Sequence, residues 1–205
     1  MALPTVTLLV CVTPSYRHWI DDFTVNAVTS CRTQTYPERK LHVCNFDDGS
    51  KVWDMFQKAL DSVRTEYYSI VGADDRIGAD YISDCMDVLL KDSYMACATT
   101  EAVLIDRHDD IIGSDNHWVA GVFRTELARA LGGYRAPSHK GDWGSAAELV
   151  VRASRAGFKC YRCASKEYYY RIWSGSVSKP DPGIDKKIAG RKSGQYFVLG
   201  DERSV

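Results

Sequence analysis

Two pairs of adjacent carboxylates carry the most chemistry in this sequence. Asp47-Asp48 is followed by Gly49-Ser50, and Asp74-Asp75 is preceded by Gly72-Ala73. Each pair closes an apolar run of β-forming residues, Leu41-His42-Val43-Cys44-Asn45-Phe46 in the first case and Tyr67-Tyr68-Ser69-Ile70-Val71 in the second. A buried strand cannot keep unpaired carboxylates inside, so both pairs belong just past a strand's carboxyl end. In open α/β sheets that end is where ligands bind. Hard divalent cations prefer carboxylate oxygens, and Mg2+ combines one or two of them with substrate phosphates. Asp74 and Asp75 therefore read as a metal–diphosphate site. Asp also favours turns and helix N-caps, so a plain strand-ending turn stays open as the alternative.

The elements that hold these acids follow from hydrophobic period. Residues 5–12 are almost continuously apolar, as in a strand covered on both faces. Thr13-Pro14-Ser15-Tyr16-Arg17 breaks that strand, since Pro14 cannot donate to a ladder and Ser15 can cap a helix. Residues 19–32 place Ile20, Phe23, Ala27, Val28 and Cys31 on one helical face. Thr33-Gln34-Thr35-Tyr36-Pro37 ends that helix. With the strand at 41–46, this makes a strand–helix–strand unit. Residues 52–63 and 81–90 predict further helices on either side of the strand at 67–71. Residues 95–105 read as a strand, and Asp106-Arg107-His108-Asp109-Asp110 as an exposed turn into Ile111-Ile112. A strand at 117–123 and a short helix at 124–131 follow, closed by Gly132-Gly133. Residues 146–156 predict a helix, and residues 158–163 and 167–173 two separate extended runs. The order of elements predicts an α/β sandwich.

The totals restrict the partners. A chain of 205 residues suits one domain with a full core, and a net charge of −1 gives no global case for nucleic acid or membrane binding. No apolar run approaches the roughly 20 residues that span a bilayer. The apolar run at 6–12 lacks the basic start and cleavage site of a signal peptide. The seven cysteines are an odd number, which fits a reducing cytosol better than secretion, so the expected location is cytoplasmic. Cys160-Tyr161-Arg162-Cys163 has no second ligand pair for zinc, and in a strand its two thiols point to opposite faces. The Lys186 to Lys192 cluster reads as a solvated tail or as a dock for an anionic acceptor.

Taken in order, the motifs resemble the family 2 glycosyltransferases of the GT-A fold. The residues that carry the resemblance are Thr13-Pro14-Ser15-Tyr16-Arg17, Gln34-Thr35-Tyr36-Pro37, Asp47-Asp48-Gly49-Ser50 and Gly72-Ala73-Asp74-Asp75. They continue with Gly132-Gly133-Tyr134, Gly141-Asp142-Trp143 and Tyr170-Arg171-Ile172-Trp173-Ser174-Gly175-Ser176. The resemblance implies a GT-A-type, Rossmann-like α/β/α sandwich with a mixed, mostly parallel sheet. A single domain would span 1–178, with a nucleotide-binding half to about 76, an acceptor half at 77–178 and a tail at 179–205.

It also implies a metal-dependent, inverting transfer of a sugar from a nucleotide sugar, UDP-linked by preference, to an acceptor hydroxyl. Thr13, Pro14, Ser15 and Tyr16 would contact the nucleoside, and Asp47, beside Asp48, would accept a hydrogen bond from the base. Gly72 and Ala73 would line the donor site, and Asp74 with Asp75 would hold Mn2+ or Mg2+. Asp142 would be the general base, with Glu148 the competing candidate because it lies nearer the Leu149-Val150-Val151-Arg152 pattern. Trp143 and Trp118 are the acceptor-side candidates.

Three departures from the family pattern stand out. Gly72 occupies the place of the first metal-motif acid, and the interval from Asp48 to Asp74 is short. Trp173 stands where many members have a His. Arg171 and Lys179 are then expected to supply positive charge to the phosphates. The acceptor is left open among protein, polysaccharide, small molecule and modified DNA base. A nucleotidyltransferase on a related fold, or a binding module without turnover, remains as an alternative.

Overall fold

Strand β1 (Val6–Val12) is buried along its whole length, which is why its sequence lacks alternation. Its even-numbered residues Val6, Leu8 and Val10 enter one core with Ala27 and Cys31 of helix α1 (Arg17–Arg32). Its odd-numbered residues Leu9 and Cys11 enter a second core with Met55, Ala59 and Leu60 of α2 (Val52–Ser62). Helix α3 (Tyr81–Leu89) adds Ile82, Cys85, Met86 and Leu89 to the first core. Helix α5 (Ser145–Arg155) adds Leu149 and Val150 to the second. The result is an α/β/α sandwich, in which each fully buried Leu or Val contributes about 1.5–3 kcal/mol. The structure is a computed structural model, and it describes residues 2–13, 17–47, 49–115, 120–136, 145–173 and 197–198.

The other strands are β2 (Arg39–Asn45), β3 (Tyr67–Gly72), β4 (Arg76–Ile77), β5 (Met95–Ile105), β6 (Ile111–Asp115), β7 (Val122–Arg124), β8 (Lys159–Arg171) and β9 (Phe197–Val198). A short helix α4 (Thr125–Ala130) follows β7. The sheet runs β2-β1-β3-β7-β5-β6-β9, with β8 paired to both β5 and β4. Strands β2, β1 and β3 are parallel, and β7 enters antiparallel between β3 and β5. Strand β8 lies parallel to β5, so most paired residues are in parallel ladders although the sheet is mixed. No helix among the described residues is long and apolar enough to cross a membrane.

Two elements differ from the sequence expectation. The extended runs at 158–163 and 167–173 are one strand, β8, rather than two. The ladder with β5 passes from Thr100↔Cys163 to Ala102↔Tyr168, so β8 carries a long bulge at residues 164–167. Those extra residues break the apolar pattern without breaking the strand. The two-residue strand β4, which pairs antiparallel with Tyr168 and Tyr169, is too short to leave a periodic signal.

Candidate functional site

Strand β1 lies between β2 and β3, so the chain leaves it for one side and returns on the other. The two crossovers use α1 and α2, which pack on opposite faces. This is a topological switch point, and it opens a crevice at the carboxyl ends of β1 and its neighbours. The expected residues gather there. Thr13 follows β1 and is buried, at 8 % exposure. Asp47 follows β2 and is exposed, one residue past the bond from Phe46 N to the Val12 carbonyl at 2.9 Å. Asp74 follows β3, whose Gly72 pairs with Cys11 of β1. Pro14, Ser15, Tyr16, Asp48, Trp118, Asp142 and Trp143 lie outside the described residues.

The turn after β3 separates the two adjacent acids. Asp75 N donates to the Gly72 carbonyl at 3.1 Å, so the chain reverses within four residues. Asp74 stays half-buried at the tip, while Asp75 turns inward and is 3 % exposed. Both Asp75 oxygens are used by the protein. Tyr168 Oη donates to Oδ2 at 2.7 Å, and the Arg171 backbone N–H donates to Oδ1 at 2.9 Å. The expected pair of metal carboxylates is thus divided, with Asp74 half-buried at the tip and Asp75 anchoring β8. Ala73 packs into the first core.

Asp74 has an unexpected partner. Trp173 Nε1 donates to its Oδ2 at 2.9 Å, and Trp173 is only 6 % exposed. The indole meets Phe23 edge-on at 5.6 Å, and the Arg171 guanidinium lies 4.1 Å from the centre of the same phenyl ring. Arg171 is 0 % exposed, so it does not reach a phosphate as expected. Its Nε donates to the Asp74 carbonyl at 2.7 Å, Nη1 to the Asp106 carbonyl at 2.6 Å, and Nη2 to Asp109 Oδ1 at 2.6 Å. A buried guanidinium needs such partners, because an unpaired one would be very costly. Asp109 holds a left-handed backbone (φ 68°), and Asp106 Oδ1 accepts from His108 N at 2.8 Å and Asp110 N at 3.0 Å, which fixes this turn.

Tyr168, Trp173 as a hydrogen-bond donor, and the Asp106–Asp109 turn were not expected at the site. One signal did exist in the sequence: Arg171 stands inside an aromatic strand, and a cation there demands anions or carbonyls from elsewhere.

Burial raises the carboxyl of Asp74 above its ordinary range. Burial, and next the neighbouring Asp74 charge, push Asp75 from an ordinary 3.8 up to about 8. A folded-state value above the unfolded one means that the folded protein binds this proton more tightly. The associated stability is complete below about pH 4 and is lost as pH rises toward 8. In chelator, the melting temperature of the wild type is therefore expected to fall across that window more steeply than that of Asp75→Asn. Parallel slopes in a pH series of melting curves would contradict this.

Gly72 explains its own identity. A Cβ there would stand 2.9 Å from Asp75 Cγ and closer still to Oδ2. Gly72→Ala is expected to lower stability in urea by about 1–3 kcal/mol, the usual cost of overpacking. Restoring an acid at this position would collide with the same carboxylate.

Glu148 is also committed. Its two oxygens accept from Arg152 Nε at 2.7 Å and Nη2 at 2.6 Å. Arg152 in turn donates to the Leu131 and Gly133 carbonyls, tying α5 to the glycine turn after α4.

No family profile matches this chain, and no curated protein matches it in sequence. Its fold is shared with solved proteins. The structure is similar to the mannosyltransferase PcManGT from Pyrobaculum calidifontis, solved in complex with GDP-Man and Mn2+. That match has a TM-score of 0.59 at 14 % identity and covers 84 % of this chain and 58 % of the other. It is also similar to TarS of S. aureus, with a TM-score of 0.54 at 10 % identity, covering 83 % of this chain and 37 % of that one. The chain thus spans less than two thirds of either relative. These likenesses establish a Rossmann-like α/β fold of the kind found in a nucleotide-sugar-binding transferase.

Among the described residues, no three His, Cys, Asp or Glu side chains are grouped as a ready-made metal cage. The half-buried Asp74 carboxylate fits the chemistry of Mg2+ or Mn2+ sites completed by substrate phosphates.

Proposed function

We propose that this chain is a glycosyltransferase of the family 2, GT-A type, which moves a sugar from a nucleotide sugar to a hydroxyl with inversion. The observation that carries the reading is the convergence of Thr13, Asp47 and Asp74 at the switch point. The fold is shared with a transferase solved with GDP-Man and Mn2+. Asp47 accepts a hydrogen bond from the base, and Thr13 lies against the nucleoside. Asp74 would hold Mn2+ or Mg2+, with Trp173 orienting its carboxylate. The cation, when bound, supplies Lewis-acid stabilisation of the charge that collects on the leaving diphosphate.

The acceptor oxygen attacks the anomeric carbon from the face opposite the diphosphate. The bond to the diphosphate oxygen breaks with its electron pair, and the acceptor proton passes to Asp142. The proton transfer is late, when the attacking hydroxyl is most acidic. Glu148, clamped by Arg152, is the weaker base. Asp142→Asn is accordingly expected to lower kcat by about 10²–10⁴-fold, the usual range for general-base catalysis. Glu148→Gln should act mainly on stability, and steady-state kinetics with circular dichroism separate the two. A UDP-linked donor and a cytoplasmic setting complete the proposal, with the acceptor left open.

The test is a thermal-shift panel of nucleoside diphosphates and nucleotide sugars, with and without Mn2+. A ligand that binds only the folded state raises the melting temperature. Stabilisation by one nucleotide that requires metal supports the reading and names the base. Absence of any metal-dependent nucleotide shift overturns it. A second reading, a sugar-nucleotide binding module without turnover, is favoured by the inward turn of Asp75. Stabilisation without release of nucleoside diphosphate in the presence of acceptors would select it.

A further inference from the structure

Six of the seven cysteines fall in neighbouring pairs: Cys11 with Cys44 and Cys97 with Cys160, each opposed across a strand ladder, and Cys85 with Cys163. None is bridged. The pairs differ in access. Cys85 and Cys97 are both 0 % exposed. Cys160 is partly exposed beside α5, with Ser154 Oγ and the Val150 carbonyl each 3.9 Å from its sulfur, and Cys163 Sγ donates to the Asp84 carbonyl at 3.5 Å.

As Cys97 and Cys160 are in the register of β5 and β8, Cys11 and Cys44 are directly opposed in that of β1 and β2, so both of their side chains leave the same face of the sheet. Both enter the α2-side core. Adjacent strands lie about 4.8 Å apart, inside the roughly 4.4–6.8 Å Cα separation that a disulfide spans. β2 is an edge strand, and Cys44 is partly exposed on it while Cys11 behind it is 8 % exposed. The neighbouring Cys11 sulfur lowers the Cys44 thiol below its ordinary value, while Cys44 and burial push the Cys11 thiol up. A partly exposed thiol backed by a second thiol on the neighbouring strand is the arrangement of a redox-reactive pair.

We infer that Cys11 and Cys44 form a peroxide-reactive dithiol that closes to a reversible disulfide. Cys44 thiolate attacks a hydroperoxide oxygen, giving the sulfenic acid and releasing hydroxide, or an alcohol from an organic peroxide. Cys11 sulfur then attacks the sulfenic sulfur, the S–S bond forms, and water leaves. The two sulfurs lose two electrons and the peroxide gains them. The bridge ties β1 to β2 two residues before Thr13 and three before Asp47. The inference does not rest on the transferase reading, since it follows from strand register and exposure.

The experiment treats the full chain with hydrogen peroxide, blocks free thiols by alkylation, and maps the digest by mass spectrometry. Wild type and Cys160→Ser are expected to give one cross-linked peptide pair containing Cys11 and Cys44, removed by dithiothreitol. Cys44→Ser and Cys11→Ala should each give none. Circular dichroism before treatment confirms that the variants are folded, and the wild-type map stands as a test without them. Alkylation of Cys44 after peroxide, its oxidation to sulfinic acid, or a bridge between other cysteines would each overturn the inference.

Discussion

Asp74→Ala is expected to abolish the metal-dependent shift by nucleotide sugars and to lower turnover by about 10²–10³-fold. The magnitude follows from the chemistry at the tip of the β3 turn. Asp74 is the less buried carboxylate of its pair, because Asp75 is consumed by Tyr168 and the Arg171 backbone. Lewis-acid stabilisation of a leaving diphosphate contributes several kcal/mol, and each 1.36 kcal/mol is tenfold in rate. The fold should survive, since Asp74 is half-buried and its Oδ2 engages a single tryptophan. Isothermal titration with Mn2+ and a nucleoside diphosphate, beside a far-ultraviolet spectrum, checks both halves. Wild-type binding by the alanine variant would remove Asp74 from the donor site.

Arg171→Met is expected to have the larger effect on stability. The methionine fills much of the stem volume but donates nothing. The Asp74 and Asp106 carbonyls lose their charged donor, and Asp109 loses the partner at 2.6 Å that faces it from inside the protein. Removing one member of a buried charged network costs about 3–5 kcal/mol. In a chain of this size that lowers the melting temperature by roughly 6–20 °C. Arg171→Lys should not rescue it, because one ammonium cannot serve three acceptors that the planar guanidinium meets at three separate nitrogens. A melting temperature within a degree of wild type for either variant would contradict the network's role.

Much of this architecture was legible because its physics is local. The run at 5–12 reads as a buried strand since both faces of β1 are covered, and the helices around Ala27, Ala59 and Met86 read from one-sided periodicity. The placement of Asp47 and Asp74 was legible for the same reason, as acids cannot continue a buried strand. The division of labour between Asp74 and Asp75 was not. It depends on Tyr168 and Arg171, which approach from a strand far along the chain, and no local pattern encodes which acid they take. Arg171 was misread as a phosphate contact because a basic residue near a motif looks free until its burial is known. Strand β8 was read as two because its bulge looks like a turn when β5 is not in view.

The bonds that fix the β3 turn join residues 93 and 96 positions apart. Strands β1 to β3 and their helices are, by contrast, contiguous in sequence and close through short loops. Contacts of long sequence separation carry a large loop-closure cost and come late in folding. The amino-terminal half can therefore condense while the chain is still being made, with Asp74 and Asp75 unanchored beside each other. The site matures only when β8 docks along β5 and β4, so a pairing made late in the chain is also the step that orients the acids. A chain arrested before Tyr168 would keep the crevice and lack the means to aim the carboxylate at its tip.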